Sequence, residues 1–142
     1  MAVPPGPVTA STDAERAMFD FVDAYDRAYE TAALEHGLSV AQACVLGRLD
    51  RQFGMRELAD LLGCDASNVT QIIRRLEARA LVRRRPHPDD GRSRQIVRTA
   101  EGATLYAAFE KSFAFARAAV ANLDAREQDQ LAALLRKALN GN

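Results

Sequence analysis

The sequence predicts a mainly α fold with a small β wing: a winged helix-turn-helix flanked by N-terminal and C-terminal helices. Three observations carry this expectation. Two short segments of helical apolar spacing meet at a tight turn, the first closing at Gly63 and the second opening at Asp65. Two runs of strand-forming residues flank the turn-rich stretch from Pro86 to Gly91. A chain of 142 residues, 48% hydrophobic and 27% charged, is enough for one globular domain with a real core.

Residues 1–11, with Pro4, Pro5 and Pro7, read as a flexible arm, and 12–142 as a single domain. The arm has neither the positive charge nor the apolar run of a secretory signal. No apolar stretch approaches the roughly 20 residues of a membrane span. Cys44 and Cys64 form no Cys-x-x-Cys pair and are too few to staple the domain, so the expected compartment is a reducing cytoplasm.

Thr12-Asp13-Ala14-Glu15 is a capping-box pattern that opens a helix over 12–36. Met18, Phe21, Val22, Tyr25, Tyr29 and Ala32 follow at helical spacing, and His36-Gly37 supplies the stop. Ser39-Val40-Ala41-Gln42 is a second box, opening a helix that carries Val45, Leu46 and Leu49 and ends near Phe53-Gly54. Met55, Leu58, Ala59 and Leu62 mark a short third helix. Asp65 caps a fourth, with Val69, Ile72, Ile73 and Leu76 as its inward stripe. Leu81–Arg85 and Gln95–Arg98 are the strands of the wing. Thr99 caps one long helix with Tyr106, Phe109, Phe113, Ala116 and Val120 in three-four steps, and Asp124 opens a last helix bearing Leu131, Leu134, Leu135 and Ala138.

The formal net charge of zero hides a strong local imbalance. Between Ile72 and Arg98, nine arginines face three acids, so this segment is +6 and the remainder of the chain is −6. Phosphate contact needs such a concentration, because each neutralised phosphate releases condensed counterions. Arginine density alone fits a solvated surface equally well, so the argument turns on the fourth helix. With its stripe inward, the 100° step puts Ser67, Gln71, Arg74 and Ala78 outward, flanked by Thr70 and Arg75. Hydroxyl, amide and guanidinium groups are the types that bond base edges and phosphates, and no carboxylate interrupts that face. The candidate DNA-contacting set is Ser67, Asn68, Thr70, Gln71, Arg74 and Arg75 on the helix, with Arg85, Arg92 and Arg94 in the wing. Asp90 serves either to hold Arg92 extended or simply as a turn residue.

These residues resemble the MarR family of bacterial transcription regulators, over nearly the whole span from first to last helix. Glu57-Leu58-Ala59 through Gly63 to Val69-Thr70 resembles the family's helix-turn-helix. The run from Leu76 to Arg83 resembles its passage from recognition helix to wing. Asp89-Asp90-Gly91-Arg92-Ser93-Arg94, followed by Thr99-Ala100-Glu101-Gly102, resembles the wing tip and the start of the next helix. The resemblance implies a homodimer joined through helices in 12–36 and 100–142, with 39–99 as the DNA-binding lobe, on a pseudo-palindromic double-stranded operator. It also implies a repressor released by a small, often aromatic, effector. Ala80 departs from the glycine usual at that helix end; a left-handed alanine there costs on the order of 1 kcal/mol.

Tyr25, Tyr29 and Phe109 are candidates for an effector pocket, and the same aromatics at helical spacing also fit core or dimer packing. Cys44 and Cys64 admit a thiol-based redox-sensing alternative, although Cys44 in an apolar helix run reads more simply as a small core residue. No phosphate loop, metal-spaced cluster or nucleophile motif appears, so no enzyme, cofactor or metal is expected. A winged-helix module for protein-protein contact, its arginines meeting an acidic partner, is the rival in a different class.

Overall fold

Helix ends, more than helix middles, set the element order. In the computed structural model, which describes residues 8–91 and 93–141, α1 (Asp13–Glu35) starts where Thr12 Oγ1 accepts the Glu15 N–H at 3.1 Å. The Glu15 carboxylate does not close the box on Thr12. It accepts from the Ser11 hydroxyl at 2.7 Å and the Ser11 N–H at 3.2 Å, which hold its carboxyl below the ordinary glutamate range. Gly37 ends the helix with φ +67°, and the Leu38 N–H donates to the Ala33 carbonyl at 2.9 Å. Ser39 and Gln42 form both halves of the box that opens α2 (Val40–Arg48).

Helix α3 (Met55–Leu62) closes at left-handed Gly63, and Asp65 caps α4 (Ala66–Ala78). The chain then forms β2 (Val82–Pro86), β3 (Arg94–Arg98) and α5 (Ala100–Ser112), followed by α6 (Phe115–Ala121) and α7 (Ala125–Asn140). Strands β2 and β3 are antiparallel, with Arg84 opposite Ile96 and Arg85 opposite Gln95. A further two-residue strand, β1 (Phe53–Gly54), pairs with β3 through Phe53 opposite Ile96, giving the order β1-β3-β2. Two residues carry no periodicity, which is why the sequence shows only a break there.

The chain divides into two compact units: residues 29–113, and the segments before and after them. The 29–113 unit holds the core, in which Leu38, Val45, Leu46, Leu58, Val69, Ile73, Leu76, Val82, Ile96 and Phe109 are all at most 2% exposed. Each such side chain contributes about 1.5–3 kcal/mol of burial, more than the roughly 1 kcal/mol of a typical cap. In the other unit no described residue is buried, and Met18, Phe21, Val22, Leu134, Leu135 and Leu139 are exposed. Phe21 and Tyr25 lie against Phe115 there, with ring centroids 5.3 and 6.2 Å apart. No described helix is long and apolar enough to cross a membrane.

The single long helix expected after Thr99 is broken between α5 and α6. Phe113 leaves helical geometry with ψ 81°, after its N–H and the Ser112 hydroxyl have both bonded the Phe109 carbonyl. Its ring is thereby placed 5.9 Å from that of Phe109 and 5.1 Å from that of Tyr29. Cys44 also differs from expectation: it is exposed, its Sγ 3.4 Å from the Tyr29 hydroxyl, because the inward residues of that turn are Ala43 and Val45.

The junction between α4, the wing and α5 is the tightest point. Ala80 adopts φ +59°, and its carbonyl accepts the Thr99 hydroxyl at 2.7 Å. That same hydroxyl oxygen accepts the Gly102 N–H at 3.0 Å, while the Thr99 N–H donates to the Leu81 carbonyl at 3.1 Å. A Cβ on Gly102 would collide with the Leu81 carbonyl oxygen, which is backbone and cannot step aside. A Cβ on Gly47 would meet only the far end of Tyr106, 2.6 Å from its hydroxyl.

Two substitutions at this junction therefore act with opposite sign. Gly102→Ala is expected to cost about 1–3 kcal/mol in urea unfolding. Ala80→Gly is expected to add up to about 1 kcal/mol by removing left-handed strain. Equal midpoints for both variants and the parent would refute the geometry.

Candidate nucleic-acid interface

Helix α4 takes its phase from its apolar stripe. Val69, Ile73 and Leu76 are fully buried and Ile72 is half-buried, so Ser67, Asn68, Gln71, Arg74, Arg75 and Ala78 are exposed. Two of the polar candidates are partly occupied. The Ser67 hydroxyl donates to Asp65 Oδ1 at 2.8 Å, and the half-buried Thr70 donates its hydroxyl to the Ala66 carbonyl at 2.8 Å. Among the described residues, no hydrogen bond or ion pair engages the side chains of Asn68, Gln71, Arg74 or Arg75. Glu77, the one acid on α4, is turned to the Arg84 guanidinium at 3.1 Å.

The arginines divide into two groups that their count alone cannot separate. Three are used inside the protein: Arg84 on Glu77, Arg79 on the Gly37 carbonyl at 2.7 Å, and Arg98 on the Leu46 carbonyl at 3.0 Å with its guanidinium over the Tyr106 ring. Arg74, Arg75, Arg83 and Arg94 are exposed and unengaged within the described residues. Arg83 is absent from the sequence-derived set; its alternation with the paired Arg84 along β2 is the signal that marks it. Arg85 is half-buried, and its Nε and the Oε1 of the cross-strand Gln95 are both buried without a hydrogen-bond partner among the described residues.

At the wing tip the Ser93 hydroxyl donates to Asp90 Oδ2 at 2.9 Å, the His87 N–H donates to the Ser93 carbonyl at 3.1 Å, and His87 Nδ1 accepts the Asp89 N–H at 3.0 Å. Asp90 is thus used in the turn. Arg92, and with it the expected Asp90–Arg92 pairing, lies outside the described residues, as do residues 1–7 of the expected arm.

The aromatic candidates are distributed between the two units. Phe109, only 1% exposed, packs edge-on to Tyr29 at 5.1 Å and beside Tyr106 at 5.5 Å in the 29–113 unit. Tyr25 belongs to the other unit. Among the described residues no group of three or more His, Cys, Asp or Glu side chains is placed to hold a metal ion.

Residues 36–93, from the end of α1 to the wing, match the sequence profile of the MarR family. The backbone is similar to that of YusO from Bacillus subtilis, with a TM-score of 0.75 and 21% identity over 92% of this chain and 94% of that one. It is also similar to apo MarR from E. coli, with a TM-score of 0.73 and 26% identity over 87% and 95% of the two chains. A cysteine-to-serine mutant of that MarR, solved in complex with operator DNA, aligns with a TM-score of 0.69 and 26% identity over 87% and 91%. No functionally curated protein sequence matches the chain.

The cap that begins α4 makes a pH-dependent prediction. Asp65 accepts the Asn68 N–H at 2.9 Å and the Ser67 hydroxyl, which together hold its carboxyl below the ordinary aspartate value of 3.8. A depressed folded-state value means stabilisation that is complete above the unfolded value and lost as pH falls through the folded one. Asp65→Ala should therefore lower the melting temperature at pH 7, with the gap to the parent closing below about pH 4. A gap that persists unchanged at pH 2 would contradict the cap's role.

Proposed function

We propose that the chain, whose residues 36–93 match the MarR family profile, is a homodimeric, sequence-specific DNA-binding transcription regulator of that family with no catalytic role. The observation that carries this reading is the outward face of α4, where, among the described residues, Asn68, Gln71, Arg74 and Arg75 are exposed and unengaged and the helix's one acid, Glu77, is paired with Arg84. Amide and guanidinium groups at that spacing match the donor and acceptor edges of the major groove. Arg94 and Arg83, with the half-buried Arg85, give the wing a positive edge suited to phosphate or a narrow minor groove.

The homodimer is supported by the terminal unit. Helices α6 and α7 bury no residue, and the exposed Met18, Phe21, Val22, Leu134, Leu135 and Leu139 are apolar surface that a second copy would cover. A two-fold dimer would present two copies of α4 to half-sites about one helical turn apart. Repression by operator occupancy in the cytoplasm, with release by a small aromatic effector meeting the Tyr29 and Phe109 layer or Tyr25, is the finer reading that the family resemblance supports.

Selection of bound duplexes from a random pool tests the proposal. Enrichment of an inverted repeat, bound about 10³-fold or more tighter than random duplex and with a steep salt dependence, is expected. Failure to enrich any duplex would favour the protein-contact reading of the arginines. On the selected operator, Arg74→Ala should relax preference at one base pair per half-site by about 1–3 kcal/mol. Arg94→Ala should weaken binding to most sequences alike and reduce the log-log salt slope by about 0.9 for each phosphate left without its cation. If neither variant altered operator affinity, the assigned face would be wrong.

A further inference from the structure

Helix α1 ends without a cation of its own: no basic residue occupies its last turn, where unbonded carbonyls concentrate partial negative charge. The missing charge is supplied from α4. Arg79, the C-cap of α4, donates from Nη1 to the carbonyl of Gly37 at 2.7 Å and to Gln42 Oε1 at 3.4 Å. Gly37 is the left-handed stop of α1, and Gln42 Oε1 also accepts the Ser39 N–H at 3.1 Å in the box that opens α2. One guanidinium therefore joins the end of the base-reading helix to the corner where α1 turns into α2. The backbone helps to aim it: after Arg79, left-handed Ala80 turns the chain away into the wing while the side chain runs back toward α1.

We propose that Arg79 is a positioning residue for DNA recognition, holding α4 against the end of α1 and so setting the half-site spacing that the protein accepts. The inference rests on the dimeric DNA-binding reading above. Helix α1 is unbroken from Asp13 to Glu35, and its N-terminal part carries Met18, Phe21 and Val22, exposed apolar residues assigned to the dimer contact. The bond from Arg79 to Gly37, the residue that stops this helix, ties α4 to the end of the element assigned to the dimer contact. Arg79 lies within the basic segment of the sequence, yet its guanidinium is committed to protein acceptors, so its removal should change geometry and not the count of phosphates neutralised.

The test uses the full chain, the operator recovered by selection, and duplexes in which one or two base pairs are inserted or removed between the half-sites. For Arg79→Ala we expect affinity for the parent operator to fall about tenfold, the scale of one hydrogen bond from a charged donor. Base preference within each half-site and the log-log salt slope should match the parent protein, and the penalty for altered spacing should shrink. Arg79→Lys, which keeps the charge but replaces the guanidinium with an ammonium on a shorter side chain, should show the same loss of spacing discrimination in smaller size. If Arg79→Ala does not fold, as judged by its helical circular dichroism, this second variant decides the matter. An unchanged spacing penalty would overturn the proposal. So would a salt slope for Arg79→Ala that is shallower by about 0.9, which would make Arg79 a phosphate contact. If the parent protein selects no duplex at all, the DNA-binding reading fails first and for a separate reason.

Discussion

The rotational phase of α4 is the constraint on which the remaining structure depends. Three side chains on one stripe, Val69, Ile73 and Leu76, are excluded from water, and together they hold about 5–9 kcal/mol of burial. Turning the helix by one residue's step would expose that stripe and drive Arg74 or Arg75 into an apolar core. An unpaired guanidinium there would cost several kcal/mol more. The sum approaches the whole stability of an ordinary domain, so the outward face is held as firmly as the core itself.

What that face can do depends on which arginines remain available. Arg79, Arg84 and Arg98 fasten α4 and the wing to the end of α1, α2 and one another, whereas Arg74, Arg75, Arg83 and Arg94 are exposed and unengaged among the described residues. The basic segment is thus partly scaffold and partly surface. Because the rest of the chain offsets its charge, attraction operates at short range, within a Debye length of about 8 Å at physiological salt. Recognition then relies on fitted contacts more than on long-range steering.

Where chemistry is local, it was legible in the sequence. The Ser39-Gln42 box, the stops at Gly37 and Gly63, the Asp65 cap and the buried stripe of α4 all follow from residues within a few positions of one another, whereas the strain at Ala80 was visible only through the family resemblance. Features made by distant partners were not. Strand β1 exists because Phe53 meets Ile96, and Arg79 and Arg98 find acceptors 42 and 52 residues away. The break after Ser112 has neither proline nor glycine to announce it, and the apolar stripe continues across it undisturbed. Gly102 was visible as a motif residue, but the reason for it, the Leu81 carbonyl against its Cα, is tertiary.

The central claim is that α4 enters the major groove with its amide and guanidinium face toward the bases, and methylation interference on the selected operator measures this most directly. The account predicts that methylating guanine N7, on the major-groove edge, blocks binding in two clusters about 10 base pairs apart, one per half-site. Complexes that form equally well whether or not guanine N7 is methylated would contradict it.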